Sequence, residues 1–279
     1  MKIINFAHMI KKINYIFAIA IIVIGISACS KYQKLLKSTD YSLKYEMAKK
    51  YYAKKDYFRT VQLLDQVLIY FKGTSKADSA YYMYAYSYYY QEDYLSAAYH
   101  FKNFATTYIM SLFTEECRYM SAYCLYLDSP IYKLDQTNTF QAIKELQSFV
   151  DLYPTSPRVA ECNKLLDELR LKLQKKYYEI SLLYLKTENY LAAIYSFKNN
   201  INDYPDNIYK EDILFNLIKT HYLYAKNSVE SKKVERYQAS IEAYNFFIKS
   251  YNNSKYAKEA KSYYNSAQKE INKITKIKS

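Results

Sequence analysis

The chain is poor in the residues on which most catalytic and cofactor sites depend. Its 279 residues include two glycines, three histidines and no tryptophan. Only Gly73 lies beyond residue 28, which excludes phosphate-binding loops of the Walker and Rossmann types, because each needs several glycines. His100 and His221 lack the paired His or Glu spacing of a zinc site, and no Gly-x-Ser-x-Gly motif is present. We therefore expect no metal, no cofactor and no enzymatic activity.

Cysteine is scarce as well, with four in the chain. Cys117 and Cys124 lie seven residues apart on one predicted helix, which separates them by about 10 Å, too far for a disulfide. If Cys29 carries a lipid, three cysteines remain, namely Cys117, Cys124 and Cys162, and an odd number cannot all pair. The pattern predicts buried free thiols instead of a disulfide framework.

The N-terminal segment, residues 1–28, has the pattern of a secretory signal peptide. Lysines precede an apolar run over residues 13–26, and small residues follow it. The run is about 14 residues long, short of the roughly 20 that a spanning helix needs, although an uncleaved transmembrane helix is the alternative. The four residues at the end of this run, Ile26-Ser27-Ala28-Cys29, resemble a bacterial lipobox, with Ile26 where that family usually has Leu. This resemblance implies cleavage before Cys29 and attachment of lipid to its thiol.

Positive charge predominates, with a formal net charge of +13. A basic surface can bind nucleic acid or an anionic membrane. Most of the basic residues are lysines scattered through helical patterns, and only residues 269–278 form a dense cluster. Because the chain is predicted to be exported, we expect a solvated lysine-rich surface and no nucleic-acid partner.

Helical spacing of apolar residues dominates beyond the signal, so the predicted class is all-α. One amphipathic pattern occurs five times, starting near residues 57, 94, 139, 190 and 237. It places small or β-branched residues at positions +3 and +4, and larger apolar residues at +7, +10 and +14. The first four copies follow another helix that carries a small residue: Ala48, Ala85, Ala122 and Ser181. The fifth follows a helix with Leu214, Leu217, Ile218 and His221. Insertions are predicted near residues 128–136 and 227–235.

This arrangement resembles the tetratricopeptide repeat. The fourth copy shows the resemblance most fully, through Tyr177, Ile180, Ser181, Tyr184, Ala193, Phe197 and Pro205. The steps between copies exceed the usual 34 residues, which implies longer helices and loops. One hairpin cannot bury its apolar face alone, so we predict a solenoid of five stacked helical hairpins.

A stretch without a break, from Pro157 to Glu188, predicts one long bridging helix. It would divide the array into N-terminal repeats 1–3 (residues 38–156) and C-terminal repeats 4–5 (residues 157–275). Residues 29–37 would form a lipidated tether.

Tyrosines recur at intervals of 37 residues on the first helices of the first three repeats. They are Tyr45, Tyr52, Tyr82, Tyr86, Tyr89, Tyr119, Tyr123 and Tyr126. A tyrosine buries a large ring at low entropic cost and keeps a hydroxyl for peptide groups, so these residues predict a groove for an extended or β-prone polypeptide. The alternative is that tyrosine is simply abundant, at 38 residues.

The lipobox, the five repeats and the long central helix together resemble the BamD family. The most specific stretches are residues 153–162 with 167–169, and residues 190–197. The resemblance implies a lipid-anchored scaffold of the outer membrane, facing the periplasm, in the β-barrel assembly machinery. It also implies two partners, namely unfolded outer-membrane proteins at the N-terminal repeats and a BamA-like subunit at the C-terminal repeats. The alternative function is a repeat lipoprotein that scaffolds cell-wall or division machinery.

Overall fold

The computed structural model describes residues 31–278, and over this range the regular secondary structure is entirely helical, which confirms the predicted all-α class. Residues 31–37 are helical. The helices that follow are α1 (Tyr41–Ala53), α2 (Tyr57–Phe71), α3 (Ala77–Tyr90), α4 (Tyr94–Thr107), α5 (Thr114–Leu127), α6 (Thr137–Leu152), α7 (Val159–Lys186), α8 (Tyr190–Asp203), α9 (Lys210–Lys226), α10 (Glu230–Ser250) and α11 (Ala257–Lys278).

The chain forms two compact units, the first ending at Asp128 and the second beginning at Ser129. The first unit contains α1–α5, and the second contains α6–α11. The boundary between the units therefore precedes α6, whereas the repeat pattern assigns α6 to the N-terminal repeats. That division of the repeats at residue 156 stays a prediction.

Three of the helix pairs are joined by the same tight turn. Lys55, Glu92 and Glu188 adopt left-handed φ angles of 60°, 61° and 59°. Each is followed by a residue whose side chain accepts a hydrogen bond from the first turn of the next helix: Asp56, Asp93 and Asn189. The left-handed residue closes the end of one helix and the capping side chain begins the next, so the backbone groups at both helix ends are satisfied. The repeats thus share a local structure as well as a pattern.

The core follows the predicted repeat frame. The small residues Ala48, Ala85, Ala122 and Ser181 are fully buried. The residues at +7 and +10 of the second helices are buried as well: Leu64, Val67, Phe101, Phe104, Leu146, Phe149, Phe197, Asn200, Tyr244 and Phe247. The polar exception, Asn200, accepts a hydrogen bond from the Asn207 amide at 2.7 Å. The predicted helical-hairpin solenoid is therefore confirmed as the fold class.

The insertion predicted near residues 227–235 is helical for most of its length. Helix α10 begins at Glu230, so these residues add helical turns instead of a loop. Ion pairs three residues apart stabilise the added turns, including Lys232 with Glu235 at 2.7 Å. The Arg236 guanidinium also lies 4.0 Å from the centre of the Tyr224 ring on α9.

The three described cysteines are free and buried, as predicted. Burial raises the pKa of the Cys124 thiol to about 12 and that of Cys162 to about 11, so both are unreactive thiols at neutral pH. Among the described helices, none has the length and hydropathy needed to cross a bilayer. The predicted signal peptide and Cys29 lie outside the described residues.

Candidate peptide-binding face

The eight predicted groove tyrosines all lie on α1, α3 and α5 in the first compact unit. Tyr45, Tyr86 and Tyr119 are core residues, with 7 %, 8 % and 3 % of their surface exposed. The other five are half-buried, and we call them the tyrosine face: Tyr52, Tyr82, Tyr89, Tyr123 and Tyr126. The structure therefore divides the predicted set into a supporting layer and a surface.

Aromatic contacts connect the face from α1 to α3. The centre of the Tyr52 ring lies 5.6 Å from that of Tyr57 and 6.2 Å from that of Tyr90. Tyr57 and Tyr90 stack at 4.8 Å, and Tyr90 lies 5.8 Å from Tyr86. Tyr57 and Tyr90 thus bridge two repeats.

Contacts between α3 and the beginning of α5 extend the network. The buried Tyr86 hydroxyl donates a hydrogen bond to Glu116 Oε1 at 2.6 Å. The Tyr82 ring packs against Phe113 at 4.4 Å. Along α5 itself, Tyr123 stacks on Tyr119 at 5.6 Å and on Tyr126 at 6.0 Å. The aromatic contacts therefore reach all three helices.

Four members of this network are not among the predicted groove residues: Tyr57, Tyr90, Tyr94 and Phe113. Tyr57 and Tyr94 begin the second helices of their repeats, and Tyr94 lies 5.9 Å from Tyr89. Each directly follows the residue that caps the helix, so the sequence could have identified both as aromatic residues at the start of a second helix. Tyr90 and Phe113 lie outside the 37-residue series, so periodicity alone cannot find them.

The hydroxyls of Tyr52, Tyr82 and Tyr86 stay protonated at physiological pH. Burial is the largest cause of the raised pKa of Tyr82, about 12, and it also raises the pKa of Tyr52 and Tyr86. A neutral phenol both donates and accepts hydrogen bonds, while its ring remains apolar. The face can therefore contact apolar side chains and the polar main chain of a peptide without carrying charge.

A family model described as "YfiO: Outer membrane lipoprotein" matches residues 38–236, a range that includes the whole tyrosine face. The chain belongs to this family of outer membrane lipoproteins. The resemblance to the BamD family is thereby confirmed. No curated protein sequence matches the chain. Among solved structures, the chain is similar to the TPR domain of P58(IPK), with 11 % identity and a TM-score of 0.39 over 86 % of this chain and 68 % of that one.

A concave region of this YfiO-family chain lies in the second compact unit. It is a cavity of about 470 Å³, and its walls are α8, α9 and α10. Its lining includes Leu214, Leu217 and His221 of α9, and Ala243 and Phe246 of α10. Burial, with the nearby Lys198 as a smaller cause, lowers the pKa of His221 to about 4. His221 is therefore neutral at physiological pH, and the cavity is mainly apolar.

Proposed function

We propose that this chain is a non-enzymatic scaffold of the outer-membrane β-barrel assembly machinery. In this proposal it is anchored by lipid on Cys29 and faces the periplasm. It binds unfolded barrel proteins on the tyrosine face, and its C-terminal repeats (residues 157–275) bind a BamA-like central subunit. Family membership supports the location at the outer membrane.

The observation that supports substrate binding is the chemistry of the tyrosine face. An unfolded barrel strand alternates apolar and polar side chains, and its backbone groups are unpaired. Half-buried tyrosine rings offer apolar area, and their hydroxyls can form hydrogen bonds with peptide N–H and C=O groups. The buried Tyr86 packs against the half-buried rings of Tyr82 and Tyr89, and the buried Tyr119 packs against that of Tyr123, so these rings lose little conformational entropy on binding.

A triple substitution tests this site without removing the buried layer. Replacing Tyr52, Tyr89 and Tyr123 by Ala should weaken binding of a peptide from an outer-membrane barrel strand at least about tenfold, which corresponds to about 1.4 kcal/mol. Affinity can be measured by fluorescence anisotropy of the labelled peptide. The matched control replaces three well-exposed tyrosines outside the face by Ala: Tyr70, Tyr99 and Tyr195. Equal affinities for the two triple variants would contradict a role for the face.

The assembly partner is tested separately in membranes. Crosslinking followed by purification of the chain should recover the central barrel-assembly subunit, and depletion of the chain should reduce the amount of folded outer-membrane barrels. Recovery of cell-wall or division proteins in its place would support the alternative scaffold and reject the assembly role.

A further inference from the structure

The segment that begins at residue 31, close to the predicted lipid attachment site, is packed against the first hairpin. Tyr32 is 7 % exposed, and its hydroxyl donates a hydrogen bond to Gln62 Oε1 at 2.7 Å. Its ring meets that of Tyr51 edge to face at 5.7 Å, and the Arg59 guanidinium lies 5.2 Å from the ring centre. Tyr51 is near the end of α1 and Arg59 near the start of α2, so Tyr32 is held at the turn that joins them.

The same segment is held at its other end by a buried lysine. Lys44 is 2 % exposed, and its ammonium group donates hydrogen bonds to the carbonyl of Leu36, at 3.0 Å, and to the Gln66 side chain. Leu35 and Leu36 pack on the core of the first hairpin. The predicted tether at residues 29–37 is therefore, from residue 31 onward, a helix fastened along the hairpin.

This attachment limits how far the first hairpin can lie from the lipid. Three peptide units separate Cys29 from Tyr32, which allows at most about 11 Å between their Cα atoms. Because Tyr32 is packed at the α1–α2 turn, we expect that turn to be the part of the first repeat that lies nearest to the lipid on Cys29.

The α1–α2 turn differs in charge from its structural equivalents. It carries Lys54 and Lys55, while the same left-handed turn in the second repeat carries Gln91 and Glu92. At the second position of α2, Phe58 has 64 % of its surface exposed. Adjacent lysines beside an exposed aromatic ring are the side chains that bind the interface of an anionic bilayer.

We propose that the α1–α2 turn rests on an anionic phospholipid bilayer, with Phe58 at the level of the headgroups and Lys54 and Lys55 against the phosphates. The contact fixes the orientation of the first repeat at the membrane surface. It rests on the lipid anchor of the proposed function, but it is independent of substrate binding and of the assembly partner.

The absence of tryptophan from the chain allows a direct test, because a single introduced tryptophan is then the only indole. The lipid-attached protein, verified by mass, is placed in phosphatidylglycerol-rich vesicles that contain brominated lipid. Phe58→Trp should be quenched at least about threefold more strongly than Leu95→Trp, since an interfacial side chain lies about 5–10 Å into the bilayer. Leu95 is the matched control, because it holds the equivalent position in the second repeat and is 57 % exposed.

Substituting the two lysines of the turn provides a second test of the membrane contact. Substituting Lys54→Gln and Lys55→Glu places the residues of the second repeat's turn into the same backbone conformation, and it should reduce the quenching of Phe58→Trp to the level of Leu95→Trp. Equal quenching of Phe58→Trp and Leu95→Trp in the original chain would overturn the membrane contact. Recovery of the assembly subunit from the same protein would then show that the proposed function stands without it.

Discussion

Two equivalent grooves, one in each compact unit, are formed by the same arrangement of helices but are lined by different side chains. Neither is the tyrosine face. Each is formed by the second helices of two repeats, with the first helix of the later repeat between them. In the first unit the three helices are α2, α3 and α4, and in the second unit they are α8, α9 and α10. The intervening helix presents Tyr81, Tyr84 and Tyr88 in the first unit, and Leu214, Leu217 and His221 at the same spacing in the second.

Aromatic side chains fill the groove of the first unit. The His100 ring stacks on Tyr88 at 4.9 Å, and its Nδ1 lies 3.2 Å from the Tyr81 hydroxyl. The Tyr84 hydroxyl donates a hydrogen bond to Asp65 at 3.3 Å. These contacts join α2, α3 and α4 through one network.

In the second unit most of the aromatic residues at these positions are replaced by leucine or alanine. Ala243 stands where the first unit has His100, and Lys198 where it has Asp65. The result is the cavity of about 470 Å³. The comparison shows that the backbone frame of the repeat does not determine whether a groove is closed, because side-chain volume at a few positions does.

The largest effect should come from emptying the filled groove. Tyr84→Ala removes a buried ring and a hydrogen bond, and it should lower the free energy of unfolding by about 3–5 kcal/mol, as for other buried aromatic residues. Leu217→Ala, at the equivalent position beside an existing cavity, should cost less, about 2 kcal/mol, at the low end for a buried leucine. Urea denaturation measures both. Equal losses would mean that the two grooves contribute alike to stability.

The next largest effect should be on the pH dependence of stability, to which the buried histidine of each groove contributes. The pKa of His221 is lowered from 6.5 to about 4 in the folded chain, so the unfolded chain binds more protons between these values. Stability is therefore complete above pH 6.5 and decreases as the pH falls towards 4, by roughly 3 kcal/mol at most at 1.36 kcal/mol per pKa unit. His221→Gln should reduce this loss, as measured by urea unfolding at several pH values.

His100 provides the comparison for that measurement. Burial lowers the pKa of His100 too, so His100→Gln should also reduce the acid sensitivity. An unchanged pH profile in the His221→Gln variant would contradict a buried neutral imidazole at the cavity.

The repeat frame was predictable from sequence because it depends on periodic burial. The position of Phe104 and Phe247 is buried in every copy and apolar in all copies except the fourth, which has Asn200, so spacing alone reveals the frame. The helical start at Glu230 was not predictable in this way, because local ion pairs stabilise residues that lack apolar periodicity. The division of the tyrosines into buried and half-buried sets was missed for another reason. Tyr86 and Tyr82 have the same residue type, and only the neighbouring helices decide which of them is covered.

The smallest expected effect comes from filling the open groove. Ala243→Leu adds a side chain where the first unit has His100, and it should raise the free energy of unfolding by about 1 kcal/mol, a common gain for cavity filling. Ala193→Leu is the matched control, because Ala193 is fully buried in the same unit. That enlargement should destabilise the chain by about 1–3 kcal/mol through overpacking. If Ala243→Leu destabilised the protein as much as Ala193→Leu, the space at this position would not be available to side chains, and the two grooves would differ in backbone packing after all.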